Sequence, residues 1–194
     1  MQGQPLAIGR KLNLGSGEYK KPGFINVDRA VVTRPDVVSD LNEFPYPFAD
    51  QCFELIEADH VLEHLDDPFM AMRELHRILA VGGKLIVRVP HFSRGFTHPE
   101  HKRGFDVSFP YYFDATVWAW YTQAELHLEG MQLKWFAQPY MKKRVLPPYA
   151  YYFGVALGRI FDWFASLSPF LCSRLWCFWV GGFEEIEFRF VRKK

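Results

Sequence analysis

Hydrophobic and polar positions alternate in short bursts over the first half of the chain. Lys11-Leu12-Asn13-Leu14 is an apolar stretch stopped by Gly15-Ser16-Gly17, and Phe24-Ile25-Asn26-Val27 is a second that ends on Asp28. Asp36-Val37-Val38-Ser39 ends on Asp40, Phe53-Glu54-Leu55-Ile56-Glu57-Ala58 ends on Asp59-His60, and Lys84 to Val89 ends on Pro90. Each is rich in aliphatic residues and bounded by turn formers, which is the pattern of a strand. Between the fourth and the fifth, Phe69, Met72, Leu75, Ile78 and Leu79 recur at helical spacing. Asp66 or Asp67 caps this helix, Pro68 suits its first turn, and Gly82-Gly83 is expected to end it. A strand, helix, strand unit wants parallel strands joined by a right-handed crossover. Residues 10–90 therefore predict a doubly wound, mostly parallel, Rossmann-like α/β sheet.

The far end reads differently. From Glu184 to Val191, Ile186, Phe188 and Phe190 alternate with Glu185, Glu187 and Arg189, which predicts a half-buried antiparallel strand at the C-terminal edge. Ala124 to Ala137 can pair with it, with Gly130 either dividing a helix from a strand or bending one long strand. Residues 140–182 form an aromatic-rich helical insert within a single domain spanning 1–194. In it Tyr152, Phe153, Leu157, Ile160, Phe161, Phe164 and Leu167 make a wide apolar face, preceded by Lys142-Lys143-Arg144. A lid over an acceptor, a subunit interface and a membrane-surface helix are the three uses such a face has.

Composition narrows the class. Of 194 residues, 49% are hydrophobic and 23% charged, a globular balance. The net charge is +1, which gives no bulk attraction to nucleic acid, and none is expected as a partner. Phe 19, Tyr 9 and Trp 6 together make 18% of the chain, so many rings must be buried or displayed. Cys52, Cys172 and Cys177 form no close pairing motif, and reduced thiols in a cytoplasmic protein are expected. Met1 to Leu12 contains no apolar run of signal-peptide length, and no uncharged apolar run is long enough to span a bilayer. Contact with a membrane would then be peripheral, and a homodimer is the other assembly the aromatic segment suggests.

Ligands of an open α/β sheet sit at the carboxyl ends of its strands. The five strand ends lead in turn into Gly15-Ser16-Gly17, Asp28, Asp40-Leu41, Asp59-His60 and Pro90-His91. Two glycines admit a ligand close to the backbone. A carboxylate ending the second strand can accept from ribose hydroxyls, and one ending the third from an adenine amino group, with Leu41 against the ring. A dinucleotide site fits less well, because position 20 is Lys20 rather than a third glycine and Asp28 follows Gly17 by too few residues. For the same reason the first crossover helix is very short or absent.

In order, Leu12-Asn13-Leu14-Gly15-Ser16-Gly17, Asn26-Val27-Asp28, Asp40-Leu41-Asn42 and Glu57-Ala58-Asp59-His60-Val61-Leu62-Glu63-His64-Leu65 resemble the class I S-adenosylmethionine-dependent methyltransferases. Within them the resemblance is to the type 11 group, continued by Arg73 to Leu79, Gly82-Gly83 and Val87 to Pro90. It implies S-adenosyl-L-methionine as cofactor. It also implies that the loop Gly15, Ser16 and Gly17 passes under the methionine part, that Asp28 holds the ribose, that Asp40 and Leu41 touch adenine, that Asp59 and His60 sit near the sulfonium, and that Asn13 belongs to the same cofactor-binding set.

Methyl transfer asks mainly for alignment, and a hydroxyl acceptor gains from a base. The candidate catalytic imidazoles are His60 and His64, four residues apart, and His91 and His101 in the loop after the fifth strand. His91, His98, His101 and Asp106 crowd that loop but match no metal template, so no metal is assigned. The leading expectation is methyl transfer to a hydroxyl of a small molecule or glycan precursor. The alternative is a cofactor-binding, non-catalytic protein whose aromatic insert binds a partner or membrane surface.

Overall fold

A computed structural model of the chain describes residues 11–117 and 122–193. Most of the Met1 to Leu12 segment, in which no signal peptide is expected, lies outside the described residues. Five strands run parallel: β1 (Lys11–Leu14), β2 (Ile25–Asp28), β3 (Val37–Val38), β4 (Phe53–Asp59) and β5 (Leu79–Pro90). Two more come later in the chain, β6 (Leu126–Lys134) and β7 (Glu185–Arg192), and the sheet order is β3-β2-β1-β4-β5-β7-β6. The expected antiparallel C-terminal strand is β7. It lies one place in from the margin, hydrogen-bonded to β5 on one side and β6 on the other, both antiparallel. Gly130 neither starts nor stops a strand: the register shifts between Leu128 and Gly130 while β6 runs through.

Between β1 and β2 the chain makes turns and no helix, as the short spacing to Asp28 required. The crossover from β4 to β5 is α1 (Pro68–Ile78), with the Asp67 carboxylate accepting from the Phe69 and Met70 amides. Its end differs from the expected one. Leu79 is already extended and pairs with Phe53, so Gly82-Gly83 falls inside β5 rather than at a helix terminus. The residues between Leu79 and Lys84 form a bulge that restores register at Leu55, and Gly82 turns it with φ at 78°.

The two faces of the sheet are chemically distinct. On one, Leu12, Leu14, Ile56, Ala58, Leu85 and Val87 are fully buried, continued by Ile186, Phe188 and Phe190 on β7. Phe109 stacks 5.9 Å from Phe188 and Phe113 lies 6.1 Å from Phe190, closing this core with α1 through Phe69. The other face carries neighbouring charges in register: Asp59 beside Arg88, and Arg88 beside Glu187. Glu185 and Glu187, expected on a solvated face, are buried, because β7 is internal and their carboxylates are paired.

The insert leaves the carboxyl edge where β6 ends and returns to it where β7 begins. It consists of α2 (Pro139–Lys142), α3 (Pro148–Leu167), α4 (Pro169–Arg174) and a 3-10 turn at Trp176–Phe178. The buried side of α3 is its small-residue side. A Cβ on Gly154 or Gly158 would stand under 3 Å from Phe136, and Asp162 accepts from the Trp135 amide at 2.7 Å. The aromatic face therefore points outward, with Tyr152, Phe153, Ile160, Phe164 and Leu167 exposed. Among the described residues no helix is long and apolar enough to cross a membrane. The three cysteines are free thiols.

Candidate functional site

Gly15 ends β1 with φ at +64°, and a Cβ there would lie 2.3 Å from Val61 Cγ2. Only glycine fits a left-handed turn packed this closely under the β4 turn. Two cavities meet at this residue. The larger, about 610 Å³, is lined by Asp28, Asp40, Leu41, His60, His64 and His101 among others. The smaller, about 290 Å³, is lined by Asn13, Ser16, Tyr19, Lys21, Asp59 and Tyr140. Together they form an elongated cleft along the carboxyl ends of β1, β2 and β4.

Asp28 is held by its neighbours. The Gly17 amide donates to Oδ2 and the Ala30 amide to Oδ1, each at 2.8 Å. Each oxygen keeps further acceptor capacity for a hydroxyl. Asp40 accepts from the Asn42 amide at 2.9 Å, and Leu41 is almost wholly buried. Ser16 Oγ is buried and has no protein partner. Asn13 lines the smaller cavity and is itself held in place. Its side-chain amide donates to the Tyr19 carbonyl and to Asn26 Oδ1, so it buttresses the loop.

Asp59 sits between Lys21 at 2.7 Å and Arg88 at 2.5 Å. Burial raises its pKa, but the two cations outweigh burial and hold it below the usual carboxylate range. Arg88 also reaches Glu187 at 2.6 Å, which links the cleft to β7.

His60 is in the left-handed region with φ at 54°. Its Nδ1 faces Glu63 Oε1 at 3.1 Å and its Nε2 faces Glu185 Oε2 at 2.8 Å. Burial pushes its pKa down, yet hydrogen bonds to Glu185 and Glu63 prevail and take it up to about 9. A charged imidazolium donating from both nitrogens cannot act as a base, so the structure makes His60 a strut.

His91 is excluded for the opposite reason. It is fully buried, with Nδ1 2.7 Å from Ser93 Oγ and Nε2 2.9 Å from Ser173 Oγ, and burial takes its pKa down to about 4. It is a neutral clasp between β5 and α4, away from both cavities. Asp106 also leaves the cluster, because Ser108 and Arg174 engage it.

His64 and His101 remain on the wall of the larger cavity. Their rings are 5.0 Å apart, and the His98 ring is 4.8 Å from that of His101. Burial lowers the pKa of His101, which leaves it neutral at pH 7. The loop bearing it is tied to the β4 turn. The Lys102 amide donates to the Glu63 carbonyl at 2.9 Å, and Arg103 donates to the Leu65 carbonyl at 2.8 Å. Arg103, Lys102 on Asp66 and Arg94 on Glu184 are thus engaged by the protein itself.

Sequence reasoning passes over Lys21, Tyr140 and Glu185, and it meets Glu63 as part of the motif after the fourth strand. Arg88 and Glu57 carry a signal, as charges inside otherwise apolar parallel strands. Tyr140 and Glu185 carry none, since the insert separates them in sequence from the loops they meet.

Residues 20–87 match the family model of a methyltransferase domain. A ubiquinone/menaquinone biosynthesis C-methyltransferase, UbiE, of Xylella fastidiosa strain M23 is 42% identical over 67 residues, 34% of this chain and 25% of the relative. The chain thus spans about a quarter of the length of the curated relatives it matches. A methyltransferase structure from Archaeoglobus fulgidus aligns over 95% of this chain and 86% of its own, with TM-score 0.56 and 13% identity. A Haemonchus contortus phosphoethanolamine N-methyltransferase aligns over 98% of this chain and 50% of its own, with TM-score 0.54 and 14% identity. The [4+2]-cyclase SpnF aligns over 96% of this chain and 76% of its own, with TM-score 0.51 and 14% identity. The strand order and the structural neighbours agree: the chain has the fold of S-adenosylmethionine-dependent methyltransferases, and its residues 20–87 match the methyltransferase-domain model. The cyclase among its neighbours shows that this fold alone does not fix a reaction.

Proposed function

We propose that the protein binds S-adenosyl-L-methionine along the two joined cavities and transfers its methyl group to a hydroxyl of an amphiphilic acceptor at a membrane surface. The observation that carries the cofactor half is Asp28, anchored through both oxygens to loop amides while facing the larger cavity. The rest of the cleft fits the group. Leu41 and Asp40 suit the adenine, and the unpartnered Ser16 Oγ suits the polar end of the methionine in the smaller cavity. The Haemonchus neighbour is described in complex with S-adenosylhomocysteine, which agrees with this assignment.

When bound, S-adenosylmethionine supplies an already activated methyl group on a sulfonium. The chain then has to align the acceptor, exclude water and take one proton from its hydroxyl. Neutral His101 and its neighbour His64 are the imidazoles on the cavity wall suited to that proton. The relatives' names include a carbon and a nitrogen methyltransferase, so they do not select the acceptor atom.

The acceptor's body is argued from the insert, whose two ends lie on the site edge. Tyr149, Tyr152, Phe153, Trp163, Phe164 and Trp179 are exposed on it, with Lys143, Arg144, Arg159 and Arg174 exposed nearby in the chain. Outward aromatic rings with a basic fringe match an anionic lipid surface. A glycan precursor on a lipid carrier is one acceptor that such a surface would present.

Titration calorimetry with S-adenosylmethionine and S-adenosylhomocysteine tests the cofactor half. Binding is expected in the native protein and at least tenfold weaker in Asp28→Ala, and no binding by native protein refutes it. Sedimentation with vesicles containing anionic lipid tests the surface. Capture is expected, reduced in Trp163→Ser/Trp179→Ser. A stable dimer that ignores vesicles would make the same face a subunit interface.

A further inference from the structure

Three donor groups converge on the wall of the larger cavity from two separate segments. Glu63 and His64 stand on the turn after β4, and His101 on the loop after β5. One ligand atom from each lies within 4.8 Å of the others. Both imidazoles are oriented from behind. His101 Nδ1 lies 2.9 Å from the Gly95 carbonyl and His64 Nδ1 3.3 Å from the Glu100 carbonyl. With Nδ1–H donating to a carbonyl, each ring keeps its lone pair on Nε2, which is how metal-binding histidines are commonly held.

Glu63 supplies an independent observation. Its side chain is fully buried, Oε1 faces His60 at 3.1 Å and His101 at 3.8 Å, and Oε2 has no hydrogen-bond partner. A buried carboxylate oxygen without a partner costs more than a typical hydrogen bond contributes. A cation between Glu63, His64 and His101 would give this buried carboxylate a further partner.

We propose that Glu63, His64 and His101 bind one divalent transition-metal ion of the zinc class, with a fourth position open to the cavity. Two imidazoles and one carboxylate are a donor set of open zinc sites, whereas magnesium and calcium prefer oxygen alone. Ligand atoms about 2.1 Å from a tetrahedral ion lie roughly 3.4 Å apart, so side-chain rotations of about an ångström close the site. His98 is not part of the set. Its Nδ1 accepts from the Glu100 amide at 3.3 Å, although its ring is adjacent. A bound ion would clamp the His101 loop onto the β4 turn. It would also take both Nε2 lone pairs, so that activation of an acceptor hydroxyl would pass from an imidazole to the ion.

Metal binding is read directly and does not depend on methyl transfer. Chelator-treated protein, the whole chain, is titrated with Co2+ alone, followed by visible absorption, and Zn2+ is added in competition. One equivalent with the bands of four-coordinate Co2+, displaced by Zn2+, is expected. His64→Ala and His101→Ala are each expected to weaken binding by about a hundredfold or more, and His98→Ala by less than threefold. Circular dichroism melts confirm that each variant folds. No saturable Co2+ binding by native protein overturns the proposal, as does unchanged binding in His101→Ala or an equal loss in His98→Ala. Metal binding without S-adenosylhomocysteine binding would sustain this site while refuting the cofactor reading.

Discussion

At the β1–β3 end of the carboxyl edge, carboxylates are held by amides two to eleven residues away. Asp28 is fixed by Gly17 and Ala30, and Asp40 by Asn42. At the β4–β7 end they are held by side chains from remote segments. Glu185 reaches His60 across 125 residues, Glu187 reaches Arg88 across 99, and Asp59 reaches Lys21 across 38. The difference is functional. A carboxylate pinned by neutral amides keeps its charge and spare lone pairs for a ligand. A carboxylate paired with a cation is neutralised and rigid, and it serves the scaffold. The first end reads as the place where a ligand is held, and the second as the frame that keeps the cleft in shape.

The largest expected effect, on ligand binding as well as on stability, comes from Gly15, where the two cavities meet. In Gly15→Ala the new Cβ meets Val61 and the residue must hold a left-handed φ. Strain and overpacking together predict about 2–3 kcal/mol of lost stability and the loss of detectable S-adenosylhomocysteine binding. Gly17→Ala also carries a positive φ, but its Cβ would have no heavy atom within 4 Å. It is expected to cost about 1 kcal/mol and to retain binding. Urea unfolding and calorimetry on both variants check this. Equal losses would mean that loop conformation alone, rather than packing under the β4 turn, sets the site.

The same contrast explains what can be read from the chain. The β1–β3 end is built from turns adjacent to strands, so Gly15, Asp28, Asp40 and Leu41 are legible from short apolar runs and the residues that stop them. The α1 cap at Asp67 is legible for the same reason. The end of α1 is not, because pairing of Leu79 with Phe53 overrides the glycine signal. Nor are the roles of His60 and His91. Both look like candidate bases from chemistry alone, whereas Glu185 and Ser173, which decide their protonation, come from the other side of the insert. The insert's aromatic face is legible as a face, but its direction depends on Gly154 and Gly158 meeting Phe136.

These two histidines give the next largest prediction, with opposite signs. His60 has its pKa raised to about 9 in the folded state, against about 6.5 unfolded. Its stabilisation, on the order of 3 kcal/mol, is present below pH 6.5 and lost as pH rises through 9. His91 has its pKa lowered to about 4. Its contribution, also on the order of 3 kcal/mol, is present above pH 6.5 and lost as pH falls through 4. Urea midpoints from pH 4 to 9.5 should therefore fall at both ends. Glu185→Gln should flatten the alkaline limb and leave the acid limb in place, and His91→Gln should do the reverse. A Glu185→Gln profile with the native alkaline slope would show that the strut at His60 does not depend on β7.

The smallest effect concerns whether the insert takes part in the cleft at all. Tyr140 is about half exposed, stacks edge-on against Tyr19 at 4.9 Å and lines the smaller cavity with Asp59 and Ser16. It is the insert's contribution to the wall of that cavity, brought there by α2 and not by any strand terminus. Removing the ring in Tyr140→Ala should weaken S-adenosylhomocysteine binding by about 1 kcal/mol, close to fivefold, the size of one exposed aromatic contact. The melting temperature should stay within about 2 °C, because an exposed ring buries little area. Calorimetry and thermal melts separate these outcomes. Unchanged affinity would confine the cleft to the strand loops. A large fall in melting temperature with unchanged affinity would assign Tyr140 to the scaffold end of the comparison instead.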